Sequence, residues 1–161
     1  MDICGLIMAR GGSQRVANKS IRKFGNSSLL EIKINQLKQL SGLKEVYVNS
    51  DSDEILNIAE SVGATTIKRD PYYATNDISI NEVYKNLAES VPCEHILFAH
   101  LTSPLVKFDS LYKCFEIYRK LPNEYDSLAT VTNIHKFMWY KDKAINYDPE
   151  NMPRSQDLPD Y

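Results

Sequence analysis

Between Ile3 and Leu30 the chain contains no aspartate and no glutamate. Acids make up 21 of its 161 residues, so a window of 28 would ordinarily hold three or four. The same window carries five cations, Arg10, Arg15, Lys19, Arg22 and Lys23. Cysteine is also scarce: Cys4, Cys93 and Cys114 are odd in number, far apart and form no CxxC pair. That pattern gives no expectation of a zinc site or a disulfide framework. Cys4, in an apolar segment, and Cys114, on an apolar helix face, read as small buried hydrophobes in a reducing compartment, with no disulfide expected. No apolar run approaches the ~20 residues that span a bilayer. An acid at position 2 and the lack of a basic leader argue against a signal peptide, so the expected location is cytoplasmic. A net charge of −2 and a pI near 5.9 give no bulk attraction for nucleic acid or an anionic membrane. The apolar content of 43% is enough to bury a core in one domain, expected to cover residues 1–161.

What is present alternates strand and helix. Residues 3–8 form an apolar run that reads as a central strand buried on both faces. Ser28-Leu29-Leu30-Glu31 offers a capping box for a helix to about residue 40, with Leu30, Ile34 and Leu37 on one face. Residues 45–49 predict a second strand. Asp51 or Ser52 then caps a helix with Ile55, Ile58, Ala59 and Val62 at helical spacing, ended by Gly63. A third strand is expected at 64–67, a third helix around Ile80, Val83, Tyr84, Leu87 and Ala88, and a fourth strand at 95–99. A fourth helix at 111–121 and a fifth strand at 127–132 complete the pattern, which stops near Asn146 in a proline-bearing tail. Interleaving of this kind implies a three-layer α/β/α, Rossmann-like fold with a mainly parallel sheet. Loops 9–23, 49–53 and 100–107 all follow strand ends, where such sheets bind ligands.

The first loop reads Ala9-Arg10-Gly11-Gly12-Ser13-Gln14-Arg15-Val16-Ala17-Asn18-Lys19-Ser20-Ile21. It is neither GxGxxG nor a Walker A loop. Glycines let backbone N–H groups approach an anion, and cations gathered without a countercharge want one. A triphosphate is the obvious candidate. The stretch resembles the A-R-G-G-S-K-G-x-x-x-K-N-I signature of the cytidylyltransferases that make CMP-activated acidic sugars, the CMP-N-acetylneuraminate synthetase family. His100-Leu101-Thr102-Ser103-Pro104-Leu105 is similar to that family's Q-P-T-S-P-L. Pro153-Arg154-Ser155-Gln156-Asp157-Leu158-Pro159 is similar to its R-x-Q-D-L-P. Ala74-Thr75-Asn76-Asp77-Ile78-Ser79 is similar to its L-A-x-D-x-x-S.

The resemblance implies a fold of the nucleotide-diphospho-sugar transferase type. It also implies a reaction in which the anomeric hydroxyl of a 2-keto sugar acid, sialic acid-like or Kdo-like, attacks the α-phosphate of CTP. CMP-sugar and pyrophosphate are the products. Arg10 would bind the β- and γ-phosphate oxygens with its planar fork, and Lys19 would face the α-phosphate as charge builds. Ala9, Gly11, Gly12 and Ser13 would complete the cradle, with Ser13 otherwise a turn hydroxyl. Arg15 would replace the family lysine, which is Gln14 by strict count. Asp77, Ser79 and Asn81 would lie near the cytosine, unless Asp77 is only a helix cap; Arg69 is a further candidate nucleotide contact. His100, Thr102, Ser103 and Pro104 would hold sugar or ribose, the alternative being a Ser-Pro turn. Arg154 and Gln156 would meet the sugar and its carboxylate, the alternative being a polar tail. His135, Trp139 and Tyr140 either approach the sugar or pack. Arg22 and Lys23 read as solvated.

The family continues past its R-x-Q-D-L-P segment into a strand, a dimer-forming element and aspartates that bind Mg²⁺. Magnesium dependence and a homodimer are therefore expected of a full-length form, with no metal ligands assigned in this chain. Two alternatives stay open: another sugar nucleotidyltransferase of the same fold, or a non-catalytic nucleotide-binding remnant.

Overall fold

The strand β1 (Ile3–Met8) sends Ile3 and Ile7 into one apolar layer and Cys4 and Leu6 into the other, as its unbroken apolar run requires. It is the axis of a computed structural model that describes residues 1–159 other than Gln14 and Asn76. The chain divides into two compact units, Met1–Arg119 and Lys120–Tyr161.

In the first unit a short antiparallel hairpin, β2 (Lys23–Phe24) with β3 (Ser27–Ser28), follows the cationic loop. It runs directly into α1 (Leu29–Lys38). The capping expectation holds in modified form. The Ser28 Oγ accepts from the Glu31 N–H at 3.3 Å, while the Glu31 carboxylate accepts from the Ser27 hydroxyl at 3.2 Å. β4 (Val46–Ser50) leads into α2 (Asp53–Ser61), capped by Ser52 and not by Asp51. β5 (Thr65–Lys68), a 3₁₀ turn over Pro71–Ala74 and α3 (Ile80–Ser90) follow. β6 (His95–Phe98) and α4 (Phe108–Tyr118) complete the unit.

The sheet order is β5-β4-β1-β6, and every pair is parallel. Residues of α1, α2 and α4, led by Ile34, Leu37, Ile55, Ala59 and Phe115, pack with Ile3, Ile7 and Val48 on one face. Val83 and Leu87 of α3 pack with Cys4 and Leu6 on the other. The unit is therefore the three-layer arrangement expected. Tyr47 and Tyr118 pack at the core edges.

Two expectations are corrected here. Cys4 and Cys93 form a disulfide, with Cα atoms 6.1 Å apart, and Cys114 remains a free thiol. Their separation of 89 residues hides the pairing in the sequence. The β1–β6 ladder removes that distance by setting Cys4 opposite Ile96, three residues beyond Cys93. Residues 127–132, expected as a fifth strand, form no ladder among the described residues. Strand propensity without an available partner edge does not make a strand.

The second unit contains a hairpin, β7 (Trp139–Tyr140) with β8 (Lys143–Ala144). Lys141 makes its turn at φ 53°. Buried Asn146 ties it together, its Nδ2 donating to the Lys136 carbonyl at 2.9 Å and its Oδ1 accepting from the Met138 N–H at 3.0 Å. Tyr147 accepts from the Trp139 indole at 2.6 Å and meets Phe137 edge-on. Among the described residues no helix is long and apolar enough to cross a membrane.

Candidate functional site

The strand order reverses at β1: β4 and β5 extend to one side, and the chain then returns to place β6 on the other. Crevices beyond the carboxyl ends of strands at such a reversal are the general ligand sites of open α/β sheets. The loops after β1, β4 and β6 leave from three adjacent strands at that end. In parallel β-α-β connections the helices start there too, so their positive ends favour an anion.

The glycine turn is held against the end of β4. The Ala9 N–H donates to the Asn49 carbonyl at 3.0 Å, and the Gly11 N–H donates to Asp51 Oδ1 at 2.9 Å. A Cβ on Gly11 would stand 3.3 Å from the Ser52 Cβ and 3.4 Å from Asp51 Oδ2, so a side chain there would press on the start of α2. Gly12 has φ +64° and open space where a Cβ would be. The loop is therefore not without a countercharge, as its own sequence implies. Asp51, just past the end of β4 and 40 residues away, supplies one, and the Gly11 N–H is engaged by it.

Arg69 closes this corner. It is 2% exposed; its Nε donates to Asn49 Oδ1 at 2.6 Å and its Nη2 to the Asn49 carbonyl at 3.0 Å. Desolvation pushes its pKa down, the Asp51 carboxylate pulls it up, and the Arg10 guanidinium lowers it again. Arg69 thus feels the charges of both Asp51 and Arg10.

The remaining predicted residues fall as follows. Arg10, Ser13 and Lys19 are half-buried, and Arg15 is exposed; Gln14 lies outside the described residues. Asn18, at φ 51°, accepts from the Ile21 and Arg22 N–H groups, turning the loop back toward β2. Arg22 and Lys23 are exposed, as read. Asp77 is exposed and is not the α3 cap: Ser79 is, accepting from the Glu82 N–H at 3.3 Å and donating to Glu82 Oε1 at 3.1 Å. Asn81 is exposed in the first turn of α3, and Asn76 is outside the described residues. His100 follows β6 and stands edge-on to Phe98, 4.8 Å between centroids. Thr102 and Ser103 are exposed and Pro104 half-buried.

Arg154 and Gln156 belong to the second unit, exposed at a 3₁₀ turn over Ser155–Asp157 next to buried Leu158. An apolar groove of about 320 Å³, lined by Leu6, Tyr84, Leu87, Ala88, Ile96 and Phe98, lies on the α3 face and not among these loops.

Among the described residues no cluster of three or more histidine, cysteine, aspartate or glutamate side chains is placed to hold a metal ion. Asp51 is the carboxylate brought to the glycine turn. It accepts from the Gly11 N–H and belongs to no such cluster among the described residues, so the residues present do not fit a magnesium site.

Two further side chains shape the site without belonging to any motif. Lys33 and Gln36 of α1 donate to carbonyls of the loop after β6. Their signal in the sequence is spacing: 30, 33, 34 and 37 are the i, i+3, i+4, i+7 positions of the buried stripe, and Lys33 is one of the four.

Comparison with known proteins bears on this arrangement. The chain is 27% identical over 164 aligned residues to the N-acylneuraminate cytidylyltransferase of Oncorhynchus mykiss, covering 96% of this chain and 38% of that protein. It is 26% identical over 135 residues to the 3-deoxy-manno-octulosonate cytidylyltransferase of Rickettsia bellii, covering 84% and 54%. The chain thus spans about half, or less, of the curated relatives it matches. Among solved structures, a CMP:2-keto-3-deoxy-manno-octonic acid synthetase complexed with CTP superposes with a TM-score of 0.66 at 16% identity, covering 76% of this chain and 49% of that one. A cytidylyltransferase from Leptospira borgpetersenii gives 0.62 at 23%, covering 76% and 51%. These two show that the fold is the Rossmann-like one of nucleotidyltransferases. A family model described as Cytidylyltransferase matches residues 4–151. The chain belongs to the cytidylyltransferase family.

Proposed function

We propose that this chain belongs to an enzyme that transfers a cytidylyl group from CTP to the anomeric hydroxyl of a 2-keto sugar acid, sialic acid-like or Kdo-like. The acceptor oxygen forms a bond to the α-phosphorus, the bond from that phosphorus to the β-phosphate bridge breaks, and the hydroxyl proton passes to solvent. CMP-sugar and pyrophosphate result. The observation that carries the reading is the glycine turn after β1, tied to the residue that follows β4 beside the strand-order reversal and directly preceded by half-buried Arg10.

Phosphoryl transfer asks the protein for positioning and for positive charge on the phosphoryl oxygens. In this reading Arg10 takes the β- and γ-phosphate oxygens and Lys19 takes the α-phosphate, with Arg15 at the outer edge. Gly12 and Ser13 line the phosphate tail, while Gly11 acts through its hold on Asp51. Ala9 and the 77–81 segment border the nucleoside. His100, Thr102, Ser103 and Pro104 receive the sugar; Arg154 and Gln156, in the second unit, are carboxylate contacts only by the resemblance of their segment. Magnesium belongs to the proposal only as an expectation of the sequence resemblance, and no step is routed through it. A homodimer is proposed on the same ground.

Pyrophosphate release by a full-length form that depends on both CTP and a sugar acid tests the reading, the chain alone being expected to turn over slowly. Sialic, legionaminic, pseudaminic and Kdo-type acids are the acceptors to offer. Turnover with one of them is expected, and none with any would refute the assignment.

A further inference from the structure

Lys33 occupies a position that packing alone would give to leucine or methionine. It lies on the buried stripe of α1 with Leu30, Ile34 and Leu37, and is 3% exposed. Its Nζ donates to the Ser103 carbonyl at 2.8 Å and to Gln36 Oε1 at 2.7 Å. Gln36 in turn donates from Nε2 to the carbonyls of Pro104 at 3.0 Å and Val106 at 3.2 Å. Three carbonyls of one loop are therefore tied to a single helix. Among the described residues no carboxylate forms an ion pair with Lys33. An ammonium buried on neutral acceptors is unfavourable in itself, and desolvation lowers its pKa. The same loop leaves the Thr102 and Ser103 side chains exposed. Its backbone is held from below while its side chains face out.

We infer that Lys33 and Gln36 are positioning residues that pin the 103–106 backbone so that His100, Thr102 and Ser103 are preorganised for the acceptor sugar. The inference rests on the function proposed above. Preorganisation of this kind acts on the acceptor that the loop meets, and leaves the nucleotide, bound on the β1 loop, unaffected. Neither residue touches the reacting atoms.

The test uses the full chain with Lys33→Met and, separately, Gln36→Leu, each checked for retained fold by circular dichroism. Hydrogen exchange read by mass spectrometry should show amides of the 102–107 loop exchanging about tenfold faster in both variants, with the central strands unchanged. With the sugar acid used by the parent chain, the acceptor KM should rise about tenfold while kcat and the KM for CTP stay within about twofold. Unchanged exchange in that loop would overturn the clamp. Faster exchange with an unchanged acceptor KM would overturn the role in acceptor positioning. If neither the parent chain nor a full-length form turns over a sugar acid, the functional reading fails and the acceptor role falls with it, while the exchange result still decides whether the clamp exists.

Discussion

Gly12 holds φ +64° with nothing near the place where a Cβ would sit, so a side chain there meets conformational strain and no clash. Gly12→Ala should therefore lower stability by about 1 kcal/mol, read as a shift in the urea midpoint at unchanged slope. Lys19→Ala should leave stability almost untouched and reduce turnover by about 10²- to 10³-fold, the range for losing one donor to developing charge; unaltered kcat would make Lys19 a surface residue. Lys33 carries a pH signature. Its folded pKa lies below the ordinary 10.5, so the folded chain gives up that proton more readily than the unfolded chain. Its contribution to stability then rises as pH climbs through the window between the lowered value and 10.5. Denaturation of the parent and of Lys33→Met, compared from neutral to alkaline pH, should show the parent gaining relative to the variant.

At this scale the sequence showed which residues carry charge and where glycine is needed. It did not show Asp51 on the Gly11 N–H, because an acid-free window says nothing of an acid that a neighbouring strand delivers. Nor did it mark Lys33 as buried, since a lysine in an apolar stripe is ordinarily taken for a flank whose head group reaches water.

Among the elements, those with a strong period were legible and those made by local turns were not. β1 runs over the residues its apolar stretch defines, and the Ser28 and Ser52 caps fall where the capping rules put them. Ser28→Ala should cost about 1 kcal/mol, measurable by thermal denaturation. Ser79→Ala should cost a similar amount, because its hydroxyl caps α3. If Ser79 also contacts the nucleotide, CTP affinity will fall in addition. The β2–β3 and β7–β8 hairpins each pair two residues per strand, too short for alternation to declare them. α4 begins earlier than its apolar spacing suggests, at Phe108 after Lys107, with no side-chain cap to announce it. The 127–132 segment has strand composition and no ladder, because propensity specifies what a segment can do and pairing depends on an edge being offered.

Over the whole molecule the parallel order β5-β4-β1-β6 makes distant pieces of sequence into neighbours. The loops at 9–23, 49–53 and 100–107 leave from one end of the sheet for this reason, as the alternation of elements implied. The disulfide between Cys4 and Cys93 follows from the same topology and was not foretold, since residue spacing carries no record of strand order. Closing a loop of that length restricts the unfolded chain, so reduction or Cys93→Ala should lower stability by about 2–4 kcal/mol. An unchanged denaturation midpoint after reduction would show that the bond contributes nothing. The central claim is that the glycine turn after β1 clasps the phosphate tail of a nucleotide. Isothermal titration of CTP into the parent chain, Arg10→Ala and Lys19→Ala, with cytidine as the phosphate-free control, tests it most directly. The account predicts measurable CTP binding by the parent, binding weakened at least about tenfold in each variant, roughly 1.4 kcal/mol, and cytidine affinity the same in all three. Equal CTP affinity in parent and variants would contradict it.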